Sequence, residues 1–412
     1  MPPFERIVVV GASLAGLRAA ETLRAEGFTG SITMVGAEAR APYDRPPLSK
    51  QVLRGDWDAD RVALPAGRNE ALDLTWERGV AASGLDLPRR TVLLADGRSL
   101  PFDGLVIATG ASPRHIPGTE HLPGVHALRT LDDAIAVRDA LDAGATRVLV
   151  VGAGFIGAEV AASCRERGVD VTMVEPLAAP LARVLGPEVG GVVADLHRDH
   201  GVDLRLDTGV SDIAAADAGA PLQVALTDDT VVEADLVVVG IGVIPNTEWL
   251  HESGLQIEDG VRCDETTLAA PGVVACGDVA RWSNPLYDEV MRVEHWEHAL
   301  DMGAHAARRL LAGDDGGEPF APVPFFWSDQ YDRKIQLAGR VRPTDQIEVV
   351  AGSLADRRFC ALYGREGRVG GALTMNMPAR VIRYRRQIAE GLGWDDALAA
   401  VAEAATAPPA AP

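Results

Sequence analysis

Short, wholly apolar runs that end in glycine set the pattern of this chain. Ile7-Val8-Val9-Val10 leads into Gly11, and Val148-Leu149-Val150-Val151 leads into Gly152. Such runs, without polar alternation, predict strands buried on both faces, as in a parallel sheet. Helical spacing follows each: residues 14–26, closed by Gly27, and a second helix closed near Gly168. Glycine just past the last periodic residue is a helix stop signal. A second strand follows each helix, at residues 31–35 and 169–174. Later in each half an apolar strand ends in small residues: 105–107 before Ala108-Thr109-Gly110, and 236–239 before Gly240-Ile241-Gly242. The two halves read as an internal repeat, one inserted within the other.

The remaining pattern completes an α/β chain. Residues 90–94 are strand-like, with a turn at Asp96-Gly97, and residues 130–143 are helical. Val273-Val274-Ala275-Cys276-Gly277-Asp278 is a short strand ending in glycine and aspartate, and residues 296–311 predict a helix. From Phe325 the texture becomes aromatic and richer in arginine, with strands at 335–338 and 346–350 and helices at 380–391 and 397–405. The expected domains are 1–110 with 243–324, 111–242 and 325–405, and a disordered tail at 406–412.

The glycine turns carry the first candidate chemistry. They read Gly11-Ala12-Ser13-Leu14-Ala15-Gly16 and Gly152-Ala153-Gly154-Phe155-Ile156-Gly157. The opening glycine permits the tight turn, the middle position lets backbone approach a pyrophosphate, and the last permits close helix packing. Two such turns predict two dinucleotides, a flavin and a nicotinamide. Ser13 departs from glycine at the middle position of the first turn. An acid follows the second strand of each half, Glu38 and Glu175, where a carboxylate accepts from an adenosine ribose; solvated surface glutamates are the alternative. At Glu175 a carboxylate would repel a 2′-phosphate, which favours NADH over NADPH.

Other residues are singled out by their setting. Lys50 closes Pro42-Tyr43-Asp44-Arg45-Pro46-Pro47-Leu48-Ser49-Lys50, a proline-stiffened loop that could present one ammonium to a flavin. Asp278 is placed to bond a flavin ribitol or to cap its turn. Glu159, two residues past Gly157, is placed to meet a nicotinamide carboxamide, or simply to answer the helix dipole. Trp296 and Trp327 suit either a flavin edge or a packed core.

Composition narrows the classes. The chain has 412 residues, 47% hydrophobic, and a net charge of −20 from 39 basic and 59 acidic residues. That sign disfavours nucleic acid and anionic membrane. Cys164, Cys263, Cys276 and Cys360 are scattered, which fits a reducing cytoplasm and predicts neither a metal site nor a redox dithiol;. No leader and no apolar run of about 20 residues is evident, so a cytoplasmic protein is expected.

With these residues in view, the chain strongly resembles the oxygenase-coupled, NADH-dependent ferredoxin reductases. The likeness runs along almost the whole chain. It is carried by both glycine turns, the run from Pro42 to Lys50, Ala108-Thr109-Gly110, Ala275 to Asp278, Val293-Glu294-His295-Trp296 and Phe326-Trp327-Ser328-Asp329-Gln330-Tyr331. The resemblance implies a glutathione-reductase-like fold: two Rossmann-type dinucleotide-binding domains plus a C-terminal α+β domain. It implies FAD in the first unit and NAD in the second, and a small [2Fe–2S] ferredoxin as partner, serving a cytochrome P450 or a Rieske oxygenase. It places Arg45, Lys50 and Asp278 at FAD, Glu159 and Glu175 at NADH, and Trp296 and Trp327 near the flavin. A ferredoxin is expected to be acidic, so Arg380, Arg383, Arg385 and Arg386, with Arg333 and Lys334, are the docking candidates; a solvated helix face is the alternative. An NADH oxidase of the same fold is the competing enzyme. A flavin-disulfide reductase needs a reactive cysteine in the first unit, and residues 1–163 contain none. A DNA-binding flavoprotein needs a basic footprint, which −20 opposes;.

Overall fold

The computed structural model describes residues 4–64, 72–215, 220–313 and 316–406. The chain divides into two compact units: Met1–Pro46, Ala59–Ser112 and Val243–Pro324 form the first, and Pro47–Asp58, Pro113–Gly242 and Phe325–Pro412 the second.

In chain order, the first unit opens with β1 (Arg6–Val10), α1 (Leu14–Ala25), β2 (Ser31–Gly36), β3 (Leu74–Arg78) and β4 (Gly104–Ile107). The second unit takes over with β5 (Val125–Ala127), α2 (Leu131–Asp142), β6 (Arg147–Val151), α3 (Phe155–Glu166), β7 (Asp170–Val174), α4 (Ala182–Asp199), β8 (Asp203–Arg205) and β9 (Leu236–Val239). The chain returns to the first unit for β10 (Leu268–Ala270), β11 (Val273–Ala275) and α5 (Trp296–Leu311). It ends in the second with β12 (Phe325–Gln330), β13 (Arg333–Gly339), β14 (Gln346–Ser353), β15 (Arg358–Arg365), β16 (Arg368–Met375), α6 (Pro378–Ala389) and α7 (Trp394–Thr406).

Each glycine-turn half builds a parallel sheet. The first runs β10-β11-β4-β1-β2-β3 and the second β8-β7-β6-β9-β5, with only the β10–β11 pair antiparallel. The repeat is in register: Val10 lies opposite Val35 as Val151 lies opposite Val174. Ile7 to Val10 and Val148 to Val151 are buried along their whole length, as their lack of alternation predicts;. The first core fills around α1 and α5, which pack closely because Gly303 lacks a Cβ that would stand 2.5 Å from the Ala15 carbonyl oxygen. The C-terminal strands form an antiparallel sheet in the order β12-β13-β16-β15-β14, and α4 packs on it through Leu185, Val189 and Val193.

Helix expectations at 14–26, 130–143 and 296–311 correspond to α1, α2 and α5. Thr130 starts α2 with a reciprocal capping box to Asp133;. Helix α4 is not announced by the pattern, and its interior explains why. Gly186 leaves the helical region at φ 79°, and Pro187 follows it, so the periodicity is broken mid-helix;. The Tyr363 hydroxyl donates to the Leu185 carbonyl at that break, 2.9 Å away. Residues 407–412, most of the expected tail, lie outside the described residues.

Candidate functional site

The first turn is shaped by backbone crowding. Gly11 donates its amide to Val35, 2.8 Å, and has φ +120°; a Cβ there would stand 2.0 Å from the Ala108 oxygen. A Cβ on Gly16 would stand 1.9 Å from the Gly11 oxygen. Both positions exclude any side chain. Ser13 is different. It is extended (φ −107°, ψ −160°), so any L-residue fits, and its hydroxyl does not cap α1;. The departure at Ser13 therefore carries no backbone strain. The bond from Leu17 N to Ser13 O, 2.9 Å, closes the first turn, leaving the Leu14, Ala15 and Gly16 amides ahead of the hydrogen-bonded ladder;. With no acid in the first turn, that helix end is a ready anion cradle;.

Predicted residues gather beside it. Glu38 lies two positions past the end of β2, and its Oε1 accepts from Arg45 Nη2 at 2.6 Å while Tyr43 Oη donates to Oε2. Arg45 also reaches the Ser13 hydroxyl at 3.5 Å. Burial opposes the Arg45 charge, but Tyr43, Glu38 and Asp278 outweigh it and raise its pKa. So Ser13, Glu38, Arg45 and Asp278 share one electrostatic cluster. Gly277 (φ +72°) turns the chain against α1, where a Cβ would stand 2.9 Å from that of Ala15. Thr109 is locked to Asn246 by two bonds, 2.8 and 2.9 Å, next to Ala108 and to Gly110 at φ +66°. The Trp296 indole donates to Asp44 Oδ1 at 2.9 Å, which ties α5 to the proline-rich run.

The second turn repeats the same steric logic. Gly152 (φ +95°) would place a Cβ 2.5 Å from the Gly240 oxygen, and Gly157 one 2.0 Å from the Gly152 oxygen. Gly154, the counterpart of Ser13, has an ordinary φ of −73° and only a 3.9 Å neighbour. The Phe155, Ile156 and Gly157 amides precede the first bond of α3, Ala158 N to Gly154 O at 2.9 Å. Ile156 is 45% exposed, while Phe155 packs edge-on to Phe326 at 4.4 Å. Gly242 (φ +96°) lies three residues past the end of β9, the strand that borders the turn. Glu175 directly follows β7. It accepts from the Ala153 amide, 2.8 Å, and the Leu177 amide, 3.1 Å, and keeps lone pairs for a diol;.

Within the second unit, Lys50 and Glu159 are joined. The proline-stiffened loop expected at Lys50 is there a π-helical turn, Leu48–Val52, and such turns are frequent at functional sites;. The Lys50 ammonium lies 2.8 Å from Glu159 Oε2, with the two residues 6% and 3% exposed. A buried ion pair holds only when further hydrogen bonds satisfy it. Ser49 supplies one to Oε2, and Ser328 supplies another to Oε1 at 2.7 Å. Glu159 lies beyond the first turn of α3, so these donors, and not the helix dipole, account for it. Trp327 is half-buried on β12, its ring 6.5 Å from that of Phe325.

The arginines separate into two groups. Arg333 and Lys334 pair with Asp332 and Asp329 at 2.7 and 2.8 Å, and Arg385 stacks on Phe325 at 5.2 Å. Arg380, Arg383 and Arg386 are exposed on α6 beside Ile382, itself 65% exposed. The cysteines are buried, and burial pushes the thiols of Cys164, Cys276 and Cys360 up to about 12. Cys263 shifts in the same direction.

Tyr43, Ser49, Asn246 and Ser328 escape sequence reasoning as site residues. Tyr43 and Ser49 stand inside a run whose chemistry was assigned to Arg45 and Lys50. For Asn246 and Ser328 there is no local signal, because their partners are more than a hundred residues away.

Known proteins agree with this architecture. Residues 5–303 match the pyridine nucleotide-disulphide oxidoreductase family, and residues 325–407 match the reductase C-terminal family. Rhodocoxin reductase of Rhodococcus erythropolis is 38% identical over 388 residues, 93% of this chain and 89% of that protein. The ferredoxin–NAD(+) reductase component of the anthranilate 1,2-dioxygenase system of Burkholderia cepacia is 39% identical over 389 residues, 93% and 94% of the two chains. The crystal structure of the covalent putidaredoxin reductase–putidaredoxin complex aligns with a TM-score of 0.87 at 35% identity, covering 94% of this chain and 93% of that one. Two glycine-turn units in register, followed by an antiparallel C-terminal sheet, thus belong to a chain of the pyridine nucleotide-disulphide oxidoreductase family that also carries a reductase C-terminal domain.

Proposed function

We propose that this protein is an FAD-dependent NADH:ferredoxin reductase that supplies a [2Fe–2S] ferredoxin serving a cytochrome P450 or Rieske oxygenase. The observation that carries this reading is the pair of glycine cradles, in a chain whose relatives are ferredoxin reductases over nearly their whole length. Both cradles fit a dinucleotide: backbone approaches where a Cβ would collide, and helix-start amides face the turn. Bound FAD supplies the redox chemistry, accepting two electrons from NADH and releasing them one at a time to ferredoxin.

The chain's own residues bind and orient. Gly11 and the Leu14, Ala15 and Gly16 amides hold the FAD pyrophosphate, Glu38 and Arg45 organise the adenosine side, and Asp278 meets the ribitol. Ala108, Thr109, Gly110 and Gly277 keep backbone close to the flavin, and Trp296 and Trp327 shape its surroundings. Gly152 and the Phe155, Ile156 and Gly157 amides hold the NADH pyrophosphate, with Gly154 and Gly242 bordering it. Glu175 accepts from the ribose hydroxyls and rejects a 2′-phosphate. Glu159, fixed by Lys50, serves the nicotinamide. On this reading 1–110 and 243–324 form the FAD-binding domain, 111–242 the NAD-binding domain and 325–405 the C-terminal domain. Arg380, Arg383 and Arg386, exposed on one helix of an otherwise acidic chain, support docking of an acidic ferredoxin. A reducing cytoplasm suits four unpaired cysteines;.

The test is direct. Purified protein reconstituted with FAD is expected to be yellow, to bleach with NADH under anaerobic conditions and to reduce a [2Fe–2S] ferredoxin much faster than it reduces oxygen. NADH consumption that is equally fast without ferredoxin would favour an oxidase instead.

A further inference from the structure

The Glu159 carboxylate is the end of a buried chain that the reaction scheme leaves unused. Ser328, on β12, donates to its Oε1 at 2.7 Å. Gln330 Nε2 donates to the Ser328 oxygen at 3.2 Å, so its carbonyl Oε1 faces His197 Nε2, 3.2 Å away. That carbonyl has no proton to give, so His197 must carry its proton on Nε2 and accept at Nδ1, where Tyr331 Oη lies 3.0 Å away;. Every donor therefore points the same way, from Tyr331 through His197, Gln330 and Ser328 to Glu159. Ser328, Gln330 and His197 are 0% exposed, and hydrogen bonds aligned head to tail in low dielectric reinforce one another;. Burial lowers the His197 pKa to about 4, which keeps its ring neutral with one N–H and preserves the direction of the chain.

We propose that Ser328 is a positioning residue for Glu159: strand β12 and the Gln330–His197–Tyr331 chain behind it hold the carboxylate in the orientation that the nicotinamide reaction uses. The inference rests on the reading that Glu159 serves the nicotinamide. Lys50 and Ser49 anchor one carboxylate oxygen from the π-helical turn, and Ser328 anchors the other from the opposite end of the sequence. Two-ended restraint fixes the carboxylate plane, which a single ion pair does not.

A double-mutant cycle on the FAD-loaded enzyme tests this, reading kcat/KM for NADH and, by calorimetry, the Kd for NAD+. Ser328→Ala is expected to lower kcat/KM about tenfold, the typical loss of one hydrogen bond to a charged group. It should also weaken NAD+ binding about fivefold by the same lost restraint. Glu159→Ala, which removes the acceptor, should cause a loss at least as large, and Ser328→Ala added to Glu159→Ala should change neither quantity further. Losses that multiply in the double variant, or a Ser328→Ala enzyme indistinguishable from the parent, would overturn the positioning role. If Glu159→Ala itself leaves both quantities unchanged, the nicotinamide reading of Glu159 falls, and that result is distinct from failure of Ser328 alone. Should Ser328→Ala melt well below the parent, the near-isosteric Ser328→Cys, a weak donor, takes its place in the same cycle with a smaller loss expected.

Discussion

At the scale of single residues, Glu175 is the residue proposed to set coenzyme choice. Both of its oxygens are aimed by backbone amides of the second turn and its neighbour Leu177, so the carboxylate is pre-set before any coenzyme arrives;. On the proposed reading, a fixed negative charge there would penalise a 2′-phosphate by direct repulsion. Glu175→Ala is expected to raise the KM for NADH about tenfold, by loss of hydrogen bonds made to a charged acceptor, and to narrow the NADH preference by a similar factor. An unchanged NADH-to-NADPH ratio of kcat/KM would remove Glu175 from coenzyme choice. Glu38 plays a different part from its counterpart. It is shared with Arg45 and Tyr43, and the equivalent of Glu175 by strand register is Gly36, which must be small because a Cβ would stand 2.6 Å from that of Ala12.

At the scale of elements, the strand–turn–helix unit explains why one glycine of three is dispensable. Gly157→Ala would force a Cβ to 2.0 Å from the Gly152 oxygen, so a loss of about 1–3 kcal/mol in stability and much weaker NADH binding are expected;. Gly154→Ser, by contrast, mimics Ser13 at a position with ordinary φ, so its melting temperature should stay close to the parent's, and any loss it causes should appear in NAD+ affinity alone;. Thermal melts and NAD+ titration of the two variants check both halves. Helix α6 carries the docking prediction. Reversing Arg380, Arg383 and Arg386 to glutamate is expected to cut ferredoxin reduction about tenfold or more, chiefly through association rate, while reduction of a small dye is spared. The effect should shrink at high salt, since screening acts on exposed charges. Equal loss of both activities would count against docking there.

At the scale of the whole molecule, two buried imidazoles tie stability to pH. Burial lowers the His197 pKa to about 4 and that of His298 to about 3, from an ordinary 6.5. His298 lies against Trp282 at 4.8 Å and close to Phe320, and neither of its ring nitrogens finds a partner among the described residues. Unfolding lets both rings take up protons below about pH 6.5, whereas the folded chain keeps them neutral. Stability is therefore complete above pH 6.5 and falls as pH drops towards about 4, by roughly 2 kcal/mol per histidine at pH 5. Calorimetric melts from pH 8 to 5 should show this decline, and His298→Phe, which fills the aromatic slot without a titrating ring, should flatten it. A variant that melts with the same pH slope as the parent would separate His298 from acid sensitivity.

Legibility followed the range of the interactions. The two turns, α1, α2, α5 and the repeat itself can be read from the chain, because glycine sterics, capping and periodicity act within a few residues. Helix α4 cannot, since Gly186 and Pro187 interrupt its pattern and it rests on tertiary packing, including that on the C-terminal sheet;. Lys50 and Glu159 each stood out alone, but their pairing across 109 residues and the Ser328 bond across 169 did not.

The amino-acid order by itself thus determined where backbone must turn without room for a Cβ into a helix start, because a missing Cβ and a helix start are local properties. Tertiary structure alone decided which carboxylate each cation meets, which arginines stay exposed and which histidines lose water. Those outcomes depend on the dielectric and the neighbours that distant segments bring together, and no window along the chain contains them.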